Sequence, residues 1–237
     1  MTTLRKQREL QAREDLILDH AGELLEAKGY LGLNLDELAA RIEYAKGTIY
    51  LHFASKEDLL LGVVIRAVKS RARLFRHAAR FPGRSRERCC ALGIADLLLA
   101  EDQPHAFELM QLVTTASVWD KTSEHRRELL QRSSMEIFEP AMKIARDGLL
   151  AGDIPAGVPP EEIVMGLFTM SKGAMLVQSS PNAFAARLAE LVRNSLQINR
   201  HRFLDGVGWR PLSTEYDYSP VEERLRRDYF AQPWDRL

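Results

Sequence analysis

Apolar residues recur three and four positions apart along most of this chain, the spacing of one helix face, and no alternating strand pattern persists. The first such stretch runs from about Leu10 to Lys28, with Ile17, Ala21, Leu24 and Leu25 on one stripe. Gly29 then stands where a helix C-terminus favours a left-handed residue. Ahead of it, residues 1–9 are expected to be mobile, a short arm holding Arg5, Lys6 and Arg8. Asn34 is a good N-cap, Glu37 stands three residues on for a capping box, and Leu35, Leu38, Ala39 and Ile42 form the next stripe. After a break at Glu43-Tyr44, a short helix is predicted from about Ala45 to Phe53. Tyr44, Ile49 and Phe53 are expected to point inward, leaving Lys46, Thr48, Tyr50 and His52 outside. Ser55, with Asp58 three residues on, caps a long helix that Pro82-Gly83 breaks, its apolar side running through Leu59, Val63, Ala67, Leu74 and Ala78.

Further helices are predicted over about Ser85–Ala100, His105–Trp119, Ser123–Leu150 and Pro160–Gln178, and from a cap at Asn182 to about Leu204. The fold class is therefore all-α. Two short helices joined by a tight turn at residues 34–56 form a helix-turn-helix, whose second helix enters the DNA major groove.

The run KGTIYLHFASKEDLL, preceded by LDELAARI, resembles the signature of the TetR family of transcriptional regulators. Thr48, Tyr50, Phe53, Ser55, Lys56, Glu57 and Leu59 match that signature in type and spacing, and the close match covers roughly residues 10–62. The resemblance implies a three-helix DNA-binding domain over 1–54, a helical ligand-binding and dimerisation domain over 55–205, and an added extension over 206–237. It also implies a double-stranded DNA operator as partner, contacted by Lys46, Thr48, Tyr50, His52 and Lys56. Two departures stand out. Glu43 replaces the usual turn glycine, and Ala45 replaces the usual hydroxyl cap of the recognition helix.

The last two long helices are expected to build a homodimer. Ile163, Leu167, Met170 and Ala174, with Gly166 and Gly173, form one stripe, and Leu188, Leu191, Val192, Ser195 and Ile198 form the other. A small-molecule effector is expected among Phe107, Met110, Trp119, Met135, Phe138, Met142, Phe168 and Met175, with His105, His125, Glu139, Lys172 and Gln178 as polar contacts. The stripe Arg66, Lys69, Arg73, Arg76 and Arg80 reads as a solvated face or as a stripe facing an acidic partner or anionic ligand. The extension crowds Trp209, Tyr216, Tyr218, Tyr229, Phe230 and Trp234 together, and is expected to pack on the body or on a partner subunit.

Composition changes this picture little. Net charge is zero, so any attraction to nucleic acid must be local. In the helix-turn-helix, Asp36, Glu37, Glu43, Glu57 and Asp58 outnumber Arg41, Lys46 and Lys56. No secretory signal or membrane span is expected, which places the protein in the cytoplasm without a membrane partner. Cys89 and Cys90 are adjacent, which is not metal-ligand spacing, and are expected as buried thiols, with a redox sensor as the other reading. No catalytic, metal or cofactor motif is found, so enzyme function is not expected. The expected function is a repressor released from a palindromic operator by ligand. The alternative is a DNA-binding protein of the same fold controlled by a protein partner or by no ligand.

Overall fold

In a computed structural model, which describes residues 2–178 and 183–231, every regular element is helical. The helices are α1 (Thr2–Gly32), α2 (Leu35–Arg41), α3 (Lys46–His52), α4 (Lys56–Ala78), α5 (Ser85–Asp102), α6 (Pro104–Leu112), α7 (Ala116–Trp119), α8 (Glu124–Leu150), α9 (Pro160–Gln178), α10 (Ala183–Val207) and α11 (Ser219–Arg224). A π-helical turn, Leu225–Tyr229, continues α11. No described helix is long and apolar enough to cross a membrane. The expected cap at Asn182 and the aromatic Trp234 lie outside the described residues.

The chain forms two compact units. The first contains residues 1–67 and 108–132, and the second contains 68–107 and 133–237. Helix α4 thus gives its first half to one unit and its second half to the other. Residues 108–132, expected with the later helices, pack instead with the N-terminal ones.

In the first unit the predicted stripes face inward. Ile17, Ala21, Leu24 and Leu38 are fully buried, and Leu35, Ala39 and Ile42 nearly so. Several local expectations are corrected. Residues 2–9 are helical and continuous with α1, where Arg5 pairs with Glu9 at 2.8 Å. Asn34 caps α2 by accepting from the Asp36 amide at 2.8 Å, but Glu37 forms no capping box. Its carboxylate turns to Lys28 at 2.7 Å and Arg41 at 3.0 Å, cations that also hold it below the usual carboxylate range. Tyr44 is exposed rather than inward, with the Arg13 guanidinium 5.3 Å over its ring. The predicted His105–Trp119 helix breaks into α6 and α7. At the break, Thr114 and Thr115 donate their hydroxyls back to the carbonyls of Gln111 and Leu112, both at 2.7 Å.

In the second unit the core side of α4 runs through Val68, Ala72, Leu74, Phe75 and Ala78. Val63 and Ala67 of the expected stripe, on the first-unit part of α4, are half-buried. The extension packs on its own chain. Trp209 is 1% exposed and donates from Nε1 to Ser85 at 2.9 Å, while its carbonyl accepts from the buried Arg86. Tyr216 donates to Glu87 at 3.0 Å, and Tyr229 stacks on His77 with centroids 4.5 Å apart. Arg86 is neutralised by Asp205 at 2.6 Å.

Candidate nucleic-acid interface and internal cavity

The turn between α2 and α3 is built on Glu43, whose φ is 58°. The Tyr44 amide donates to Ala39 at 3.0 Å and the Glu43 amide to Ala40 at 3.3 Å, the two bonds of a Schellman closure. Glu43 therefore occupies the left-handed position where glycine is favoured. Ala45 precedes α3 with no side-chain cap, leaving its first turn held by Thr48 N–H to Ala45 C=O at 2.8 Å.

Ile49 and Phe53 anchor α3, at 1% and 0% exposure. The seat for Phe53 requires Gly62, because a Cβ there would lie 2.8 Å from its ring. Anchoring that face leaves Tyr50 (48% exposed) and Leu51 (85%) on the outside, with Lys46 exposed and Thr48 half-buried. Lys46 is paired with Asp36 at 2.9 Å, and that hydrogen bond holds its pKa above the usual range. Lys56, half-buried at the head of α4, lies 4.7 Å over the Tyr30 ring. The Tyr30 hydroxyl donates to Glu57 at 2.9 Å, and burial and that carboxylate push its pKa up to about 12.

His52 departs from the expected outward face. Its side chain is 3% exposed, with Nδ1 3.9 Å from Glu14, and burial pushes its pKa down. Arg126 closes over this corner, donating to Glu14 at 2.9 Å and lying 4.6 Å over the Phe53 ring. A second buried lock is Asp58, 2% exposed. One of its oxygens accepts from the Ala54 amide at 3.1 Å, and the other from the Ser123 amide and hydroxyl at 2.9 and 2.8 Å. Ser55 caps α4 as expected, accepting from the Asp58 amide at 2.9 Å.

The second unit contains a partly open cavity of about 70 Å³. Of the eight residues expected around a ligand, Phe138 and Phe168 line it, their rings 4.9 Å apart. Phe107 and Met175 are buried elsewhere, Met142 is half-buried away from the cavity, and Met135 is 67% exposed. Met110 and Trp119 belong to the first unit. None of His105, His125, Glu139, Lys172 or Gln178 lines the cavity. Its polar wall is instead Arg71, Asp96, Ser171, Gln197, Arg200 and His201. Arg71 holds Asp96 Oδ1 from Nε at 2.9 Å and Nη2 at 2.7 Å, with both residues 3% exposed. Scattered over α4, α5, α9 and α10, these polar positions carried no local signal beyond being charged residues within otherwise apolar faces.

Cys89 and Cys90 are buried free thiols. Burial pushes Cys89 up to about 11 and Cys90 well above its ordinary value, so neither is a ready thiolate. Cys90, His201 and Glu222 offer ligand atoms within 4.8 Å of one another. Glu222 is already engaged by His201 at 2.8 Å and Gln197 at 2.7 Å, a hydrogen-bonded seam between α10 and α11.

Residues 17–63 match the family model described as bacterial regulatory proteins, tetR family. That match assigns residues 17–63, which hold α2, α3 and the flanking parts of α1 and α4, to the TetR class of DNA-binding segments. Similar solved structures include a TetR/AcrR-family transcriptional regulator from Thermobifida fusca, 24% identical, with TM-score 0.58, covering 78% of this chain and 97% of that one. A second is FadR from Bacillus subtilis in complex with stearoyl-CoA, 18% identical, TM-score 0.58, covering 76% and 96%. A third is PfmR from Thermus thermophilus, 20% identical, TM-score 0.56, covering 77% and 97%. Comparison with curated proteins gave no match. At these identities the structural likeness speaks for the fold, and the TetR segment at residues 17–63 speaks for the class.

Proposed function

We propose that this TetR-family regulator is a cytoplasmic homodimeric repressor that binds a palindromic operator and leaves it when a small molecule occupies the cavity of its second unit. Residues 1–54 are its DNA-binding domain, 55–205 its effector and dimerisation domain, and 206–237 an extension. The carrying observation is the outer face of α3, where Tyr50 and Leu51 stand exposed beside Lys46 on a helix locked from behind by Phe53. Tyr50 and Lys56 reach phosphates, Lys46 and Thr48 reach base edges or phosphates, and Leu51 suits a thymine methyl. His52 serves the scaffold instead.

A dimer is supported by exposed apolar residues on α9 and α10: Met165 (47% exposed), Leu191 (58%) and Ile198 (52%). On α9 this is a different face from the expected one. Ile163 and Ala174 are buried within the protomer, Leu167 lines the cavity, and Phe203 fills the space over Gly166. Gly173 has open space above it, which suits close approach of a second helix. A two-fold pair then reads half-sites roughly 34–36 Å apart or a multiple of that.

Coupling runs along α4, whose first half belongs to the DNA-binding unit and whose Arg71 and Phe75 line the cavity. The effector releases DNA only as far as it binds the DNA-incompetent form more tightly. FadR's stearoyl-CoA shows the kind of ligand one similar fold accepts, an anion with an apolar chain. The alternative of control by a protein docking on the aromatic tail loses support, since Trp209, Tyr218 and Phe230 are buried against the chain itself.

The test is operator selection from random duplex DNA, followed by fluorescence anisotropy with the selected site. Tyr50→Phe with Lys46→Ala should weaken binding at least tenfold. Unchanged affinity would sink the assignment of α3, and a monomer by sedimentation at working concentration would sink the palindrome.

A further inference from the structure

The cavity wall carries more positive charge than it can pair. Arg71 takes Asp96 with two nitrogens on one oxygen. Arg200, 7% exposed, meets the same Asp96 only through its second oxygen, at 3.9 Å, beyond hydrogen-bond reach. Its hydrogen bonds go to neutral oxygens, Ser171 Oγ at 2.9 Å and Gln197 Oε1 at 3.5 Å. Groups on neighbouring elements do not supply the missing charge. The α5 thiols are protonated, Glu222 is held by His201 and Gln197, and Asp205 is held by Arg86.

A buried guanidinium that shares its one carboxylate with a second arginine, and meets it only at 3.9 Å, is costly, and a bound anion would complete the pair. This chain makes room for it. Gly93 lies under the Arg200 head, and a Cβ at that position would collide with Nη1. The apolar lining includes Phe75, Ile137, Phe138, Leu167 and Phe168. One excess positive charge, two arginines to one aspartate, beside a planar fork and apolar walls matches a carboxylate on a compact apolar body. The cavity's 70 Å³ is below the roughly 150 Å³ that admits a benzene ring, so the acid is small or widens its own space.

We propose that the cavity binds a small monocarboxylic acid whose carboxylate pairs with Arg200, while Asp96 keeps Arg71 occupied. This deepens the effector reading and rests on it.

The experiment is calorimetric and thermal-shift titration of the full chain with acetate, butyrate, hexanoate and benzoate, each against its uncharged primary amide. At least one acid should bind at least tenfold more tightly than its amide and raise Tm. Arg200→Gln should erase that difference. Without ligand it should be no less stable than the native chain, because it removes an uncompensated charge; a purely structural Arg200 would instead lose stability. Gly93→Ala, which displaces the guanidinium but keeps its charge, should weaken the acid as well. No acid binding, amides binding equally, or acid affinity unchanged in Arg200→Gln would each overturn the proposal. An operator-release assay separates this proposal from the effector reading. An acid that binds through Arg200 without releasing DNA leaves the proposal standing and removes the effector role. Release by the amides alone, without acid binding, does the reverse.

Discussion

Replacing Glu43 with glycine should stabilise the DNA-binding unit. Glu43 holds φ at 58° in the Schellman closure of α2, with both backbone bonds of that closure made. An L-residue in the left-handed region costs about 1–2 kcal/mol. Glycine removes that strain but has more freedom to lose on folding, an opposing term of about 0.5–1 kcal/mol. The side chain is exposed and buries nothing, so the net gain is about 0.5–1 kcal/mol. In a cooperative transition of the whole chain, that corresponds to a rise in Tm of about 2–4 °C per kcal/mol. Glu43→Ala removes the same carboxylate but keeps the Cβ, so it should show none of the gain. Urea denaturation of the three proteins checks this, with equal m-values required for the comparison. If the glycine variant is no more stable than the alanine variant, the strain argument fails.

Asp36→Asn should release Lys46 from its 2.9 Å partner and strengthen operator binding, steepening the log–log salt dependence by about one phosphate's worth of slope, roughly 0.9. An unchanged slope by anisotropy across salt concentrations would show that Lys46 makes no phosphate contact. Asp58→Ala leaves the Ala54 amide and the Ser123 amide and hydroxyl without their buried acceptor, and should cost about 3–5 kcal/mol in denaturant titration. His52 gives a pH dependence. Burial lowers its folded-state pKa below the ordinary 6.5, so the unfolded chain takes up a proton that the folded site resists. The stability this confers is present above that ordinary value and is lost as pH falls towards the folded-state pKa. His52→Gln should therefore lose less stability than the native chain as pH falls below the ordinary imidazole value; parallel losses would exclude His52 as the source.

Much of the fold was legible because helix periodicity is a local property. Burying Ile17, Ala21, Leu24 and Leu25 on one side requires only that α1 be helical and meet a core. The α3 anchors Ile49 and Phe53 and the Ser55 cap likewise follow from short-range geometry, whereas Glu43, a residue expected to resist the left-handed region, adopts it. Where a local pattern left a choice, tertiary neighbours decided it. His52 turned inward because Glu14 and Arg126, distant in sequence, close over it. Glu37 abandoned its cap for Lys28, and the face of α9 expected to meet a partner turned into its own protomer. The cavity was the least legible feature. Arg71, Asp96, Ser171 and Arg200 come from four helices, and no spacing along the chain records that they converge. By itself the sequence determined the helices, their inward stripes and the class of the DNA-binding segment, because these depend on residues within a few turns of one another. Only the tertiary structure decided which charges are paired, since a buried guanidinium is compensated or not according to what distant segments bring beside it.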